Sequence, residues 1–559
     1  MGKRERMSSV DTAWLRMDSQ ANLMLIVGVY EFEGKVDYDR LRRLVEERLL
    51  QHDRFRSCVV QDATGYSWEV DDNFDLDLHL ARTALPGVGS SADLKRLVGR
   101  LASTALDASR PLWQMHLVDN YNGGQALIIR IHHCIADGIA LIGVLLALTS
   151  DDPTEGGTEP AAVRIKATRS AGAWDAVLRP FTEATVKAID STSDAAVRAL
   201  HASAALLEHP DSVGEAAGDA ARLAAQVAKD LAGIALMEND AVTSLKGVPS
   251  GSKVVAWNEP LALADVKAVC KALGCSVNDV LLASVAGAIR SYLEQQGEEV
   301  DGIELRAMVP VNLRDPRKWK ELGNKFGLVP LLLPVGIANP IARVYEVRRR
   351  MDQLKQSYTA VLTMGILGAA GLVPRALQKQ ALDFLAKKAT AVMTNVPGPE
   401  QPLYMAGAQV RRMMFWVPQS GNIGIGVSIL SYAGGVQFGL IADKRLCDDP
   451  QRIIDRFEPE FEKLVLTLCM LPWEGAVDAD SAESWLFPSV AAPKRVPRRS
   501  RTRRRAAADR ATPPGEASVA SPDAAAVAAS DVASAGEPAP RPAGVRRRKS
   551  AFAASRSAN

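Results

Sequence analysis

The distribution of hydrophobic positions divides the chain before any chemistry is considered. Residues 23–33 (LMLIVGVYEFE) are rich in β-branched and aromatic side chains and predict a strand. Apolar residues at helical spacing predict a helix over 38–50. Two strands are predicted at 112–118 and 126–132 around the turn at 120–124, where Asn122, Gly123 and Gly124 give a hairpin signal. An apolar helix is expected next, at 138–148. From about 165 to 245 the chain is Ala-rich, has little β signal and lacks proline between Pro210 and Pro249, so it reads as a helical connector. A second alternating block begins near Lys253. Helices are predicted at 263–273 and 276–295, the latter opening with Ser276 and, three residues on, Asp279, a capping-box signature. Strands at 305–311, 326–335, 389–394, 410–417, 423–432 and 436–441 precede a closing helix at 449–471. The expected fold class is mixed α/β: two similar-sized blocks joined by a helical crossover. They share an interface, the kind of place where ligand sites are favoured.

Composition alters this picture mainly at the C-terminal end. With 47% hydrophobic and 24% charged residues the chain is ordinary for a globular protein, which excludes a fibrous, wholly disordered or disulfide-scaffold class. No uninterrupted apolar run reaches 18 residues, so no membrane-spanning helix is expected. The polar start, MGKRERMSSVDTAWLRMDSQ, carries no apolar signal core and nothing in it suggests secretion. The six cysteines (58, 134, 270, 275, 447 and 469) are therefore expected to be reduced thiols of a cytoplasmic protein. None forms a CxxC pair, so no metal site is expected. The net charge of +2 hides an asymmetry: residues 481–559 carry 15 Lys and Arg against 6 Asp and Glu, leaving 52 basic and 59 acidic side chains to the first 480 residues. Between residues 488 and 551 there is no Leu, Ile, Met, Phe, Tyr or Trp, so this stretch lacks the apolar area that would offset its ordering entropy. The expected division is 1–160, a helical connector at 161–250, 251–475, and a disordered basic tail at 476–559. The tail's arginine clusters at 498–505 and 546–549 read either as a solubilising extension or as a tether to anionic lipid. Nucleic acid is the poorer match, because no aromatic residue interleaves the arginines.

The most specific chemistry lies at 131–138, IHHCIADG, where a predicted strand runs into a predicted helix. Adjacent strand residues point to opposite faces, so one of His132 and His133 can face a cavity while the other packs inward. An imidazole titrating near neutrality is suited to act as a general base. Asp137 can hold the loop through a charge pair with an arginine, and Gly138 allows close approach of backbone or substrate. A metal pair is a poor alternative, since neighbouring strand histidines diverge and no HExxH stands nearby. A Rossmann fingerprint and a P-loop are absent, and no cofactor is indicated.

HHCIADG resembles the HHxxxDG motif of the CoA-dependent acyltransferase superfamily. More closely, the chain resembles bacterial wax ester synthase/acyl-CoA:diacylglycerol acyltransferases over about residues 7–475. The resemblance rests on blocks in the right order: 8–15 (SSVDTAWL); Pro111, Leu112 and Trp113; Asn278 and Asp279; 309–314 (VPVNLR); Gly323 and Asn324; 394–399 (TNVPGP); and 426–443 around Ser431 and Tyr432. Thr394 stands where that family usually has Ser, which keeps a hydroxyl. The basic tail lies outside the resemblance.

The resemblance implies two chloramphenicol-acetyltransferase-like domains with an active-site tunnel at their interface. It implies that His133 is the base, taking the proton of a long-chain alcohol or diacylglycerol hydroxyl that attacks the acyl-CoA thioester directly. His132 would be supporting, and Asp137 would pair with an arginine, for which Arg314 is the candidate; the alternative for Arg314 is a surface pair with Asp315. Asn278, Asp279, Arg314, Thr394 and Asn395 are candidate substrate-binding residues. Asn278 either donates to the oxyanion, anchors the interface or caps its helix. Cys134 is either an acyl-carrying nucleophile or a small packing residue. CoA enters as substrate, and the lipid substrates imply a peripheral place at the inner membrane or at lipid inclusions. The apolar stretch at 358–373 either lies at such an interface or is a buried helix. Two other functions remain open: a catalytically idle lipid-droplet protein of the same fold, against which the intact His133, Asp137 and Gly138 argue, and a condensation-type acyltransferase using carrier-protein thioesters.

Overall fold

The computed structural model describes residues 4–63, 65–152, 218–314 and 322–470. The tail and most of the expected connector lie outside these residues. Of the connector, the helix Gly218–Ala235 (α5 below) is described, and irregular chain follows it to residue 252.

Sixteen strands are described: β1 (Arg4–Arg6), β2 (Leu25–Glu33), β3 (Ser57–Asp62), β4 (Gly65–Val70), β5 (Leu80–Ala84), β6 (Trp113–Tyr121), β7 (Gly124–His132), β8 (Lys253–Trp257), β9 (Leu261–Ala262), β10 (Leu305–Asn312), β11 (Phe326–Leu333), β12 (Ala391–Pro397), β13 (Tyr404–Met405), β14 (Ala408–Trp416), β15 (Ile425–Tyr432) and β16 (Gly435–Asp443). They build a six-stranded sheet of order β13-β14-β2-β7-β6-β5, a seven-stranded sheet of order β11-β10-β12-β15-β16-β8 with β9 also on β16, and the small sheet β1-β4-β3. The helices that matter for the site are α1 (Ser9–Met17), α2 (Tyr38–Leu44), α3 (Ser91–Ala102), α4 (Gly138–Leu146), α5 (Gly218–Ala235), α6 (Leu263–Leu273), α7 (Val277–Gln295), α8 (Pro340–Lys355), α9 (Thr359–Ala370), α10 (Arg375–Ala386) and α11 (Phe457–Cys469).

The hairpin expected at 120–124 is present: β6 and β7 pair antiparallel, and Asn122 and Gly123 both adopt positive φ, the conformation such a tight turn requires. The strand expected at 23–33 is β2, buried along all but its last residue because β7 and β14 flank it and helices cover its faces. The capping box of α7 is complete, with Ser276 Oγ accepting from the Asp279 N–H (3.2 Å) and Asp279 Oδ2 accepting from the Ser276 N–H (2.8 Å).

β13 and β14, from within the 251–475 block, belong to the first sheet, where Phe415 lies opposite Gly28 of β2. Met413, Met414, Phe415 and Trp416 are all buried. A strand that apolar has no face that reports its partner, so its pattern fits either sheet. One core packs around the second sheet and α7. A second joins α1 and α4 to the first sheet. A third gathers Leu94 and Leu97 of α3 with Val118, Ile128, Trp257 and Trp416, so residues of both sheets share it.

Helix α9 covers most of the apolar stretch at 358–373, and it is packed rather than presented. Ala360, Val361, Met364 and Gly368 are buried, and Thr363 exchanges hydrogen bonds with the Leu328 backbone at 2.8 Å each way. Gly327 permits the approach: a Cβ there would meet the Ala360 carbonyl oxygen at 1.7 Å.

Candidate active site

β7 ends at His132 and α4 begins at Gly138, so the five residues between them form a tight strand-to-helix corner. The corner is held at both ends. The His133 N–H donates to the Met24 carbonyl at 2.8 Å, and Asp137 caps α4 by accepting from the Ala140 N–H at 2.9 Å. The two histidines diverge as alternation requires. His132 turns inward: its Nδ1 accepts from the Cys134 N–H at 3.2 Å and its Nε2 stands 3.8 Å from Asp18. His133 faces a cavity of about 180 Å³.

The walls of that cavity are predominantly apolar, with Leu141, Leu145, Met308, Leu328, Leu367 and Leu385 among them. Its polar side groups include Asn312, Thr394, Asn395 and Ser428. The imidazole of His133 lies flat against Trp14, ring centroids 4.1 Å apart at 17°, with Phe326 at 5.5 Å. Its Nδ1 is enclosed and makes no hydrogen bond of ordinary geometry. Burial pushes the His133 pKa down to about 4, against the weaker upward pull of Asp137, so the ring is neutral at physiological pH. Burial takes His132 to about 3, with His133 adding to the effect.

Arg314 donates to Asp137 Oδ2 at 2.7 Å and to the Gly323 carbonyl at 2.6 Å; both side chains of the pair are almost wholly buried. Arg314 is therefore not a surface residue, and Asp315 lies outside the described residues. The Lys325 N–H adds a further donor to Asp137 at 2.9 Å. With Oδ1 on the α4 cap and Oδ2 on these donors, Asp137 ties the histidine corner to Arg314 and Lys325. Gly138 lines the cavity, and a Cβ on it would meet only Val417, at an ordinary 3.5 Å. The surrounding protein therefore does not exclude a side chain there; the space it would occupy is the cavity.

The remaining sequence candidates fall into separate places. Thr394 and Asn395 line the cavity, and the Thr394 hydroxyl donates to the Val427 carbonyl at 3.3 Å. Asn278 stands behind Asn395, accepting its amide at 2.8 Å. Asp279 is spent on the capping box, buried at 3% exposure, and does not reach the cavity: its expected substrate contact gives way to the backbone donor it must satisfy. Arg314 contacts Asp137 rather than the cavity space. Cys134 is fully buried off the cavity and burial holds its thiol well above the usual range, which suits packing and not acyl transfer. Leu112 and Trp113 pack the strand beside the histidines: the Leu112 carbonyl accepts from the His132 N–H at 2.9 Å, and Trp113 Nε1 donates to the Phe55 carbonyl at 2.8 Å.

Sequence reasoning assigned no role to Trp14, Asp11, Arg54 or Asn324, although two of the quoted blocks contain three of them. Asn324 donates to both Asp11 Oδ1 (2.8 Å) and the His133 carbonyl (2.9 Å). Arg54 reaches Asp11 at 3.2 Å and the Ile135 carbonyl at 2.9 Å. One buried carboxylate on α1 thus organises two side chains that grip two carbonyls of the histidine corner. These contacts join residues far apart in the chain, and no local pattern encodes them. Among the described residues no three His, Cys, Asp or Glu side chains gather as a metal centre.

Residues 7–281 match the family model described as the wax ester synthase/diacylglycerol acyltransferase catalytic domain, and residues 322–465 match the WS/DGAT C-terminal domain. "Probable diacylglycerol O-acyltransferase tgs2" of Mycobacterium tuberculosis is 29% identical over 479 residues, spanning 81% of this chain and 97% of the relative. "Probable diacylglycerol O-acyltransferase tgs1" of the same species is 29% identical over 409 residues, spanning 72% and 82%. Among solved structures, the wax ester synthase/diacylglycerol acyltransferase of Marinobacter aquaeolei VT8 superposes with a TM-score of 0.57 at 21% identity, covering 83% of this chain and all of that one. The first condensation domain of the calcium-dependent antibiotic synthetase superposes with a TM-score of 0.51 at 14% identity, covering 86% and 98%. Both structural likenesses concern the fold.

Proposed function

The chain belongs to the wax ester synthase/diacylglycerol acyltransferase family and is an acyltransferase, and from that premise we propose that His133 is the general base of direct ester formation between an acyl-CoA and a long-chain alcohol or diacylglycerol. The observation that carries this reading is a neutral imidazole set in the wall of an apolar cavity, its pKa pushed down to about 4 by burial. A base must be unprotonated to accept a proton, and here it is so across the physiological range. For Nε2 to take that proton, the neutral ring must hold its own hydrogen on the enclosed Nδ1.

The hydroxyl proton passes to Nε2 as the oxygen forms a bond to the thioester carbonyl carbon. The tetrahedral intermediate collapses with cleavage of the C–S bond, and the CoA sulfur leaves with the proton held by the imidazolium. No acyl-enzyme forms, so no serine or cysteine nucleophile is needed. The imidazolium that arises mid-reaction is met by the face of Trp14 and by the nearby charge of Asp137. The Thr394 hydroxyl is given to the Val427 carbonyl, and the second amide hydrogen of Asn395, beyond the one given to Asn278, is the donor this reading offers a developing oxyanion. The apolar walls exclude water, which would otherwise compete as acceptor. CoA is a substrate and no cofactor takes part in these steps. We further propose that the protein is cytoplasmic and meets its lipid acceptor at the surface of the inner membrane or of lipid inclusions.

The test is ester formation by purified protein from labelled palmitoyl-CoA, with hexadecanol and dioleoylglycerol offered separately. CoA release that depends on acceptor supports the reading. Binding of palmitoyl-CoA without turnover on either acceptor would favour the catalytically idle alternative.

A further inference from the structure

Helix α10 is exposed around most of its circumference: of its side chains described, only Gln378 and Ala386 are buried. Gln378 anchors it, donating from Nε2 to the Ala13 carbonyl at 2.9 Å. The outward surface is not polar throughout. Leu377, Ala381 and Phe384 fall at i, i+4 and i+7, a single stripe along the helix. Leu377 is 54% exposed and Phe384 45%, and Leu372, just before the helix, is 59% exposed.

Ala381 also lines the cavity, together with Leu385 and Lys388, so the stripe runs along the cavity's lip. Ile234 and Met237, at the end of α5, line it too. Cations border the stripe: Arg375, Lys379 and Lys387 are exposed, the Lys388 ammonium sits 4.5 Å over the Phe384 ring, and Asp383 is the one acid between residues 375 and 388. An exposed apolar stripe edged by basic residues is the composition of a helix lying in a lipid headgroup region. The neighbouring α9 shows the contrast, since its apolar residues are largely consumed by β11 and α1.

We propose that α10 docks the mouth of the cavity on an anionic phospholipid surface, with Leu372, Leu377 and Phe384 entering the acyl boundary and the cations meeting headgroup phosphates. This rests on the ester-forming reading of the cavity. It gives an insoluble hydroxyl substrate a path from the lipid phase to His133 without crossing water.

Full-length protein is floated with vesicles of phosphatidylcholine and phosphatidylglycerol at low and at high salt. High salt screens the basic tail and leaves apolar insertion. Leu377→Glu/Phe384→Glu is expected to lower vesicle partitioning at high salt by about tenfold or more, since two apolar side chains lose their burial. The same variant should esterify a water-soluble short-chain alcohol with a short acyl-CoA at the wild-type rate, because neither residue lines the cavity. Loss of that soluble activity in the wild-type protein would count against the ester-forming reading, not against docking. Phe384→Trp guards against a misfolded double variant: vesicles of brominated lipid should quench its added fluorescence. Unchanged partitioning of the double variant, or no quenching of Phe384→Trp, would overturn the proposal. A wild-type dimer that dissociates on Leu377→Glu/Phe384→Glu, with vesicle binding intact, would assign the stripe to a second copy of the chain and overturn it equally.

Discussion

His132 and His133 share a backbone corner and almost the same burial, yet only one has free space before it. Removing His133 as His133→Ala should cost about 10²- to 10⁴-fold in ester formation while the melting temperature moves little, because the ring borders a cavity. Removing His132 should do the reverse, since its Nδ1 satisfies the Cys134 N–H inside the core. Thermal melts beside a CoA-release assay separate the two; the opposite pattern would exchange their roles. Both rings are neutral when folded, with pKa values near 3 and 4, against about 6.5 when unfolded. Between those values the unfolded chain binds more protons, so stability rises with pH there and falls as pH is lowered from about 6.5 towards 4. The melting temperature should therefore drop between pH 7 and 5, and His132→Asn/His133→Asn should flatten that slope. A slope unchanged in the double variant would contradict the burial assigned to these rings. At this scale the sequence told that the histidines diverge, since alternation on a strand demands it. Which of them meets the cavity was supplied by family resemblance, because the Trp14 ring that fixes the His133 plane arrives from 119 positions earlier in the chain.

At the scale of elements, α1 on one side and Arg314, Gly323 and Lys325 on the other hold the corner. The Asp137–Arg314 pair is almost wholly buried, so deleting either partner leaves a charge without its counter-ion, at a cost of about 3–5 kcal/mol. A double-mutant cycle on Asp137→Asn and Arg314→Gln should show a coupling above about 1 kcal/mol; additivity would mean that the pair does not tie the two segments together. Asp11→Ala should release Asn324 and Arg54 from their shared anchor and lower kcat by about tenfold with KM nearly unchanged, because the base shifts while the cavity walls stay. A change in KM alone would make Asp11 a substrate-side residue. The elements themselves were legible where local chemistry decides them: the Asn122–Gly123 turn and the Ser276–Asp279 box are written in a few adjacent residues. The sheet that β14 joins was not, because a strand buried on both faces carries no outward sign of its neighbours.

Among the described residues the two large sheets share a core, and the cavity is lined from both halves of the chain. Every described residue lining the cavity lies before position 431, and the family match ends at 465. Truncation after Asp480 should therefore keep ester formation while weakening binding to anionic vesicles at low salt, where basic residues near the surface contribute about 1 kcal/mol each. A truncated protein that binds those vesicles as well as the full chain would remove the tail from the account. The α/β class was legible from alternation, but the cavity was not, since its lining is assembled from segments whose apolar residues each look like ordinary core. In the proposed reaction a neutral His133 takes the acceptor's proton and no acyl-enzyme intervenes. It is tested most directly by following CoA release from palmitoyl-CoA with and without hexadecanol, in rapid-mixing experiments on wild type and His133→Ala. Acceptor-dependent release without a burst is expected from the wild type, and loss of release from the folded variant. A stoichiometric burst of CoA before acceptor is added, or a variant that retains wild-type turnover, would contradict that reaction.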